Sequence, residues 1–171
     1  MNLYLGIPRR SGIKFANFQY QTVYNNLTTW LNSGCPDGGL VRVIKITQPE
    51  PAMRRDDALV YLVGDPTDSV AARVGAAGSS EIPSGHTAAW QGQLISEVYV
   101  NAVSDYYAAA VIYHEVLHNK FNLAINIHNF AGNFTSAVAP FDPTGPNKVD
   151  QDLMCRAIKE VPLAGQFQGG F

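Results

Sequence analysis

The pattern of apolar and polar positions changes character several times along the chain. Leu3 to Ile7 is a short apolar run stopped by Pro8, and reads as a first strand. Between Phe18 and Leu31 the apolar residues are Phe18, Tyr20, Val23, Tyr24, Leu27, Trp30 and Leu31. Their spacing predicts a helix whose aromatic stripe is a core face; Ser33-Gly34 ends it, with Gly34 as a left-handed cap. Leu40 to Thr47 is β-branched, bounded by Gly39 and Pro49, and predicts a second strand. Ala58 to Val63 predicts a third, and its unbroken apolar character places it centrally. Ser69 to Ala89 is rich in Gly, Ala and Ser and reads as a long surface excursion, which makes His86 an exposed loop histidine. Gln93 to Asn101 alternates imperfectly, as an edge strand would. Ser104 caps a helix that runs from Asp105 through His118 to about Lys120 or Phe121. Asp105 to Tyr113 is apolar almost all round, so this helix is expected to be buried on both sides. Beyond Asn122 the pattern is loop, then a helix from about Val149 to Glu160 and a Gly-rich tail. The order is β, α, β, β, β, α, and the first helix can cross over to a parallel second strand.

Length and composition narrow the class. With 171 residues, 46% hydrophobic and 15% charged, the chain fits one globular domain (1–171), divided into an N-terminal subdomain (1–121) and a C-terminal one (122–171). A net charge of -2 gives no basic face, so no nucleic-acid partner is expected. No apolar run reaches the roughly 18 residues that span a bilayer, so no membrane partner is expected either. Met1 to Pro8 lacks the basic region and long apolar stretch of a signal peptide, so the expectations are an intracellular site, export by another route, or a leader absent from this sequence. Cys35 and Cys155 can form one disulfide, remain two buried thiols, or be unrelated.

The chemistry is concentrated in Tyr113-His114-Glu115-Val116-Leu117-His118-Asn119, which holds two of the four histidines. The pattern is H-E-x-x-H. On a helix, residues four apart share one face, so His114 and His118 can direct their rings at one metal ion. Glu115 then lies near enough to act as general base without ligating. Two surface histidines on an amphipathic helix would be the bland alternative, but polar groups on a helix buried on both sides need partners. For a third ligand the candidates are His128, ten residues after His118, with Asp142, Asp150, Asp152 and Glu160 as rivals. For His128 to reach the metal the chain must leave the helix and fold back, and Asn122 or Asn126 can supply a left-handed residue for that turn.

On Glu97-Val98-Tyr99-Val100-Asn101, the His114–His118 motif and Met154, the chain resembles a small metzincin-type zinc endopeptidase. The resemblance implies an α+β, zincin-like fold: a twisted mixed sheet of about four strands, a backing helix, an active-site helix, and a loop-rich C-terminal part ending in a helix. It implies Zn2+ as cofactor and a third ligand six residues after the second histidine. That position is Ala124 here, which turns attention to His128. It also implies a methionine turn, for which Met154 is the candidate, a plain core methionine being the alternative. The implied activity is peptide-bond hydrolysis by a metal-activated water, with Glu115 as general base and a tyrosine (Tyr106, Tyr107 or Tyr113) or His86 near the oxyanion. A monomer acting on protein or peptide substrates is expected, the substrate lying along the fourth strand. A hydrolase of cell-wall peptide, or a non-catalytic assembly protein whose metal site is closed by Cys155 or an aspartate, are the competing readings.

Overall fold

The structure is a computed structural model. It describes residues 1–9, 11–35, 39–46, 54, 56–69, 85–90, 93–101, 103–121, 126–135 and 144–159, with only the backbone at 86, 88–90 and 93–95. The fold is mixed α/β. Five strands, β1 (Asn2–Gly6), β2 (Arg42–Ile46), β3 (Ala58–Val63), β4 (Gly85–Trp90) and β5 (Gln93–Tyr99), form one sheet in the order β2-β1-β3-β5-β4. The first four in that order run parallel, and β4 pairs antiparallel with β5 at the edge. Among the described residues three α-helices accompany them: α1 (Tyr20–Ser33), α2 (Asp105–Lys120) and α3 (Lys148–Lys159).

The unbroken apolar run of β3 lies where such a run belongs, mid-sheet and with all six residues buried. Ala58, Val60 and Leu62 join the helix-side core with Leu3, Leu5 and Val98, and alternation turns Leu59 and Tyr61 to the other face. The crossover through α1 makes β1 and β2 parallel, as expected. α1 buries Val23, Leu27 and Leu31 in one stripe, and Tyr20, Tyr24 and Trp30 pack around it. α2 is buried on every side from Ala108 to Leu117, between the sheet and the other two helices. The Ser104 hydroxyl accepts the Tyr107 N–H and caps α2, and Asp105 also takes the Gln19 N–H at 2.9 Å.

Several expectations are corrected. The sheet has five strands, because Gly85–Trp90, read as part of a loop, pairs along its whole length with β5. His86 is therefore a strand residue; its side-chain exposure lies outside what is described. The segment read as an edge strand is internal, held by β3 on one side and β4 on the other, so its backbone is not free to pair with a substrate. Gly34 is right-handed (φ -86°), not a left-handed cap. Its lack of a side chain serves close packing instead: a β-carbon there would lie 2.9 Å from Gln151 Cβ on α3. Next to it Cys35 and Cys155 form a disulfide that ties the end of α1 to α3. Met154 sits within α3, 1% exposed and part of the core cluster, so it is a helical core methionine and not a turn. Among the described residues no helix is long and apolar enough to cross a membrane.

Candidate metal centre

His114 and His118 project from consecutive turns of α2, and His128 arrives from a 3-10 turn at Ile127–Asn129. Asn126 makes that turn, though not by a left-handed backbone: it is extended (φ -76°), and its side-chain oxygen accepts the His128 N–H at 3.1 Å. Asn122 lies outside the described residues. The three rings form a nearly equilateral triangle, with centroids 4.7, 5.0 and 5.1 Å apart. One ligand atom from each lies within 4.8 Å of the others, so the group can hold a metal ion.

The hydrogen bonds settle which nitrogens face inward. His114 Nδ1 donates to the Phe134 carbonyl at 2.6 Å, and His128 Nδ1 donates to the Thr135 carbonyl at 2.8 Å. A backbone carbonyl can only accept, so each Nδ1 carries a proton, and in the neutral ring that leaves Nε2 with its lone pair. The Nε2 atoms of His114 and His118 lie 3.1 Å apart. Two imidazoles on one Zn2+, each at about 2.0–2.1 Å, require a similar separation. Burial holds His114 down to about 4, opposed by its Phe134 bond and helped by His128; burial, then His114 and His128, hold His118 down to about 3. Both rings are therefore neutral near pH 7, the ligating form. Among the described residues, buried His118 Nδ1 has no hydrogen-bond partner. The donor set, its tautomers and its spacing fit a divalent metal of the zinc type.

Glu115 points from α2 towards the edge of the sheet. Its Oε2 accepts the Thr87 hydroxyl at 2.6 Å, Thr87 pairs with the Ser96 hydroxyl at 2.8 Å, and Ser96 accepts the Asn119 amide at 3.1 Å. Burial pushes the Glu115 carboxyl up to about 8; the Thr87 bond works against this and the charge of Glu97 adds to it. Thr87 and Ser96 lie on β4 and β5, and alternation turns both towards α2. Nothing in the sequence reading identified this relay. Thr87 lies in a stretch that reads as loop and Ser96 in a strand with imperfect alternation, so no local signal joins the two hydroxyls.

The rival ligands among the described residues are engaged elsewhere. Asp150 is fully buried and its carboxylate accepts the N–H groups of Asn133, Phe134 and Asn147 at 2.8, 3.0 and 2.9 Å. Asp152 is paired with Lys148 on the surface, and Cys155 is in the disulfide. Asp142 and Glu160 lie outside the described residues. Of the tyrosines considered, Tyr113 is buried and donates to the Asp150 carbonyl at 3.0 Å, and the Tyr106 ring packs edge-on against Trp30. Tyr107 packs against the core.

The loop bearing His128 is anchored at Phe134. Its side chain is fully buried between Trp30 and Tyr113, with ring centroids 5.1 and 5.4 Å away. No family model, no curated protein and no solved structure matches this chain.

Proposed function

We propose that this protein is a zinc-dependent endopeptidase, the activity that the metzincin resemblance implies. The observation that carries the reading is the convergence of three imidazoles, with a buried glutamate adjacent to one of them on the same helix. His114, His118 and His128 would hold the metal through Nε2. The engagement of Asp150, Asp152 and Cys155 in other contacts supports a site with three protein ligands, the pattern of catalytic rather than structural zinc. Zinc in such a site lowers the pKa of a coordinated water and polarises a carbonyl.

Glu115 is the proton carrier. Thr87 occupies its Oε2, which leaves Oε1 to take up a proton and return it to the leaving amine. Burial favours its neutral form, and a cation bound beside it would favour the carboxylate that accepts the proton. An extended substrate would pair with the outer side of β4, which among the described residues has no strand beside it, rather than with β5.

The test is metal content and hydrolysis of a denatured protein substrate, measured on the same preparations. The wild type is expected to hold about one zinc per chain and to cleave. Glu115→Gln should retain the metal and lose turnover. Zinc at that level without cleavage, or unchanged cleavage by Glu115→Gln, would refute the proposal.

A further inference from the structure

We infer that Asp150 is the positioning residue for two of the three histidines: a single buried carboxylate fixes the loop whose consecutive carbonyls set the ring nitrogens of His114 and His128. The inference rests on the reading of these histidines as metal ligands.

The chain of contacts is short. Asp150 Oδ1 accepts the Phe134 N–H at 3.0 Å, and Oδ2 accepts the Asn133 N–H at 2.8 Å. The carbonyl of Phe134 then receives His114 Nδ1, and that of Thr135 receives His128 Nδ1. Each carbonyl fixes a tautomer and a ring orientation, which is how a supporting group sets the basicity and direction of a ligand. The remaining contacts close the loop on itself. Gly132 N–H donates to Thr135 Oγ1 at 3.0 Å, and Thr135 Oγ1 donates to the Phe130 carbonyl at 2.8 Å. Gly132 lies against the carboxylate so closely that a β-carbon there would collide with Asp150 Oδ1. Asp150 is also joined to the motif helix directly, since its own carbonyl accepts the Tyr113 hydroxyl, one residue before His114.

A purely structural role is the competing explanation. Asp150 also belongs to a reciprocal cap at the start of α3, in which Asn147 Oδ1 accepts the Asp150 N–H at 3.1 Å and Asp150 Oδ2 accepts the Asn147 N–H at 2.9 Å. A cap would stabilise the helix without any effect on ring tautomers. The two roles separate when tautomers and metal binding are read beside stability.

Three variants make the comparison. Asp150→Asn keeps one acceptor oxygen but turns an NH2 group towards the N–H donors on the other side, which lose their acceptor. Gly132→Ala leaves the carboxylate and the cap in place and pushes the loop off Oδ1, which keeps the inference testable if the first variant does not fold. Ile158→Ala, at the far end of α3, destabilises the same helix without touching the loop. Histidine-labelled, metal-free protein is examined by nitrogen NMR, and Zn2+ and Co2+ affinities are measured by chelator competition. In the wild type His114 and His128 should be Nδ1–H tautomers. Asp150→Asn and Gly132→Ala should mix the tautomers, weaken metal binding about 10- to 100-fold and shift the Co2+ visible spectrum, while Ile158→Ala changes none of these. Unaltered tautomers in both loop variants, or an equal loss of affinity in Ile158→Ala, would overturn the inference. If the wild type binds no metal, the metal-centre reading falls, and the tautomers alone decide the role of Asp150.

Discussion

Gly85→Ala tests how closely the edge strand must approach the motif helix. A β-carbon at Gly85 would collide with Val111 Cγ1 and lie 3.0 Å from Glu115 Oε1 and 3.1 Å from the Glu97 carbonyl. Comfortable carbon contacts are about 3.5–4.0 Å, so β4 must shift or Val111 must yield. Val111 is 1% exposed on a helix, and its branched side chain has essentially one χ1 well there, so the strand is the part that moves. Overpacking of this kind costs about 1–3 kcal/mol, offset by about 0.4–1 kcal/mol because alanine narrows the unfolded ensemble. The net loss is therefore about 0–2.6 kcal/mol, centred on about 1.3, at about 2–4 °C in Tm per kcal/mol for a domain of this length. Val111→Ala alone removes two buried carbons, worth about 1.6 kcal/mol before any cavity term. In the double variant the new methyl occupies the vacated space, so the combined loss should fall below the sum of the single losses by about 1 kcal/mol. Urea unfolding of the metal-free protein measures all three. Additivity within about 0.5 kcal/mol would show that the two positions do not press on each other, and would refute the packing argument.

Three further outcomes follow from other contacts. His128→Ala should weaken zinc binding by more than the about 10- to 100-fold attributable to a supporting residue, with α2 intact by circular dichroism; unchanged affinity in chelator competition would remove His128 from the ligand set. Cys35→Ser with Cys155→Ser opens a bridge spanning 120 residues and should lower stability by about 2–5 kcal/mol, with reductant reproducing the effect in the wild type; no change with reductant in urea unfolding would contradict the bridge. Burial raises the Asp57 carboxyl, but the N–H donors of Asn2 and Arg54 and the Arg54 guanidinium outweigh it, so its folded pKa lies below the usual 3.8. Its contribution is therefore fully present above that value and lost as pH falls through the lower, folded one. Asp57→Asn should cost about 1–3 kcal/mol at pH 7 and progressively less in acid, and an equal cost at every pH in urea titrations would refute the assignment.

The parts legible in the sequence are those where one physical signal dominates. β3 announces itself because burial on all sides leaves no polar position, and α2 because its first half, Ala108 to Ile112, is apolar on every side. The Ser104 cap is local and was visible for the same reason. β4 was not visible: Gly85, Ala88 and Ala89 have weak strand preference, and its pairing comes from the neighbouring Gln93–Tyr99 segment. Gly34 was misread because an end-of-helix glycine has two uses, and only the partner α3 reveals that contact, not chirality, is the one employed. At the site, the helical spacing of His114 and His118 follows from local geometry. The arrival of His128 depends on Asp150 and Phe134, whose tertiary roles no local pattern encodes.

The hold of Asp150 on the 133–134 backbone also imposes an order in time. On the ribosome, both motif histidines emerge before the carboxylate that secures the loop, which follows Tyr113 by 37 residues. A nascent or prematurely terminated polypeptide would carry the first two imidazoles without the clasp that completes their geometry. The histidine cluster would thus be completed only once α3 has emerged, after the described strands of the sheet have had the opportunity to form.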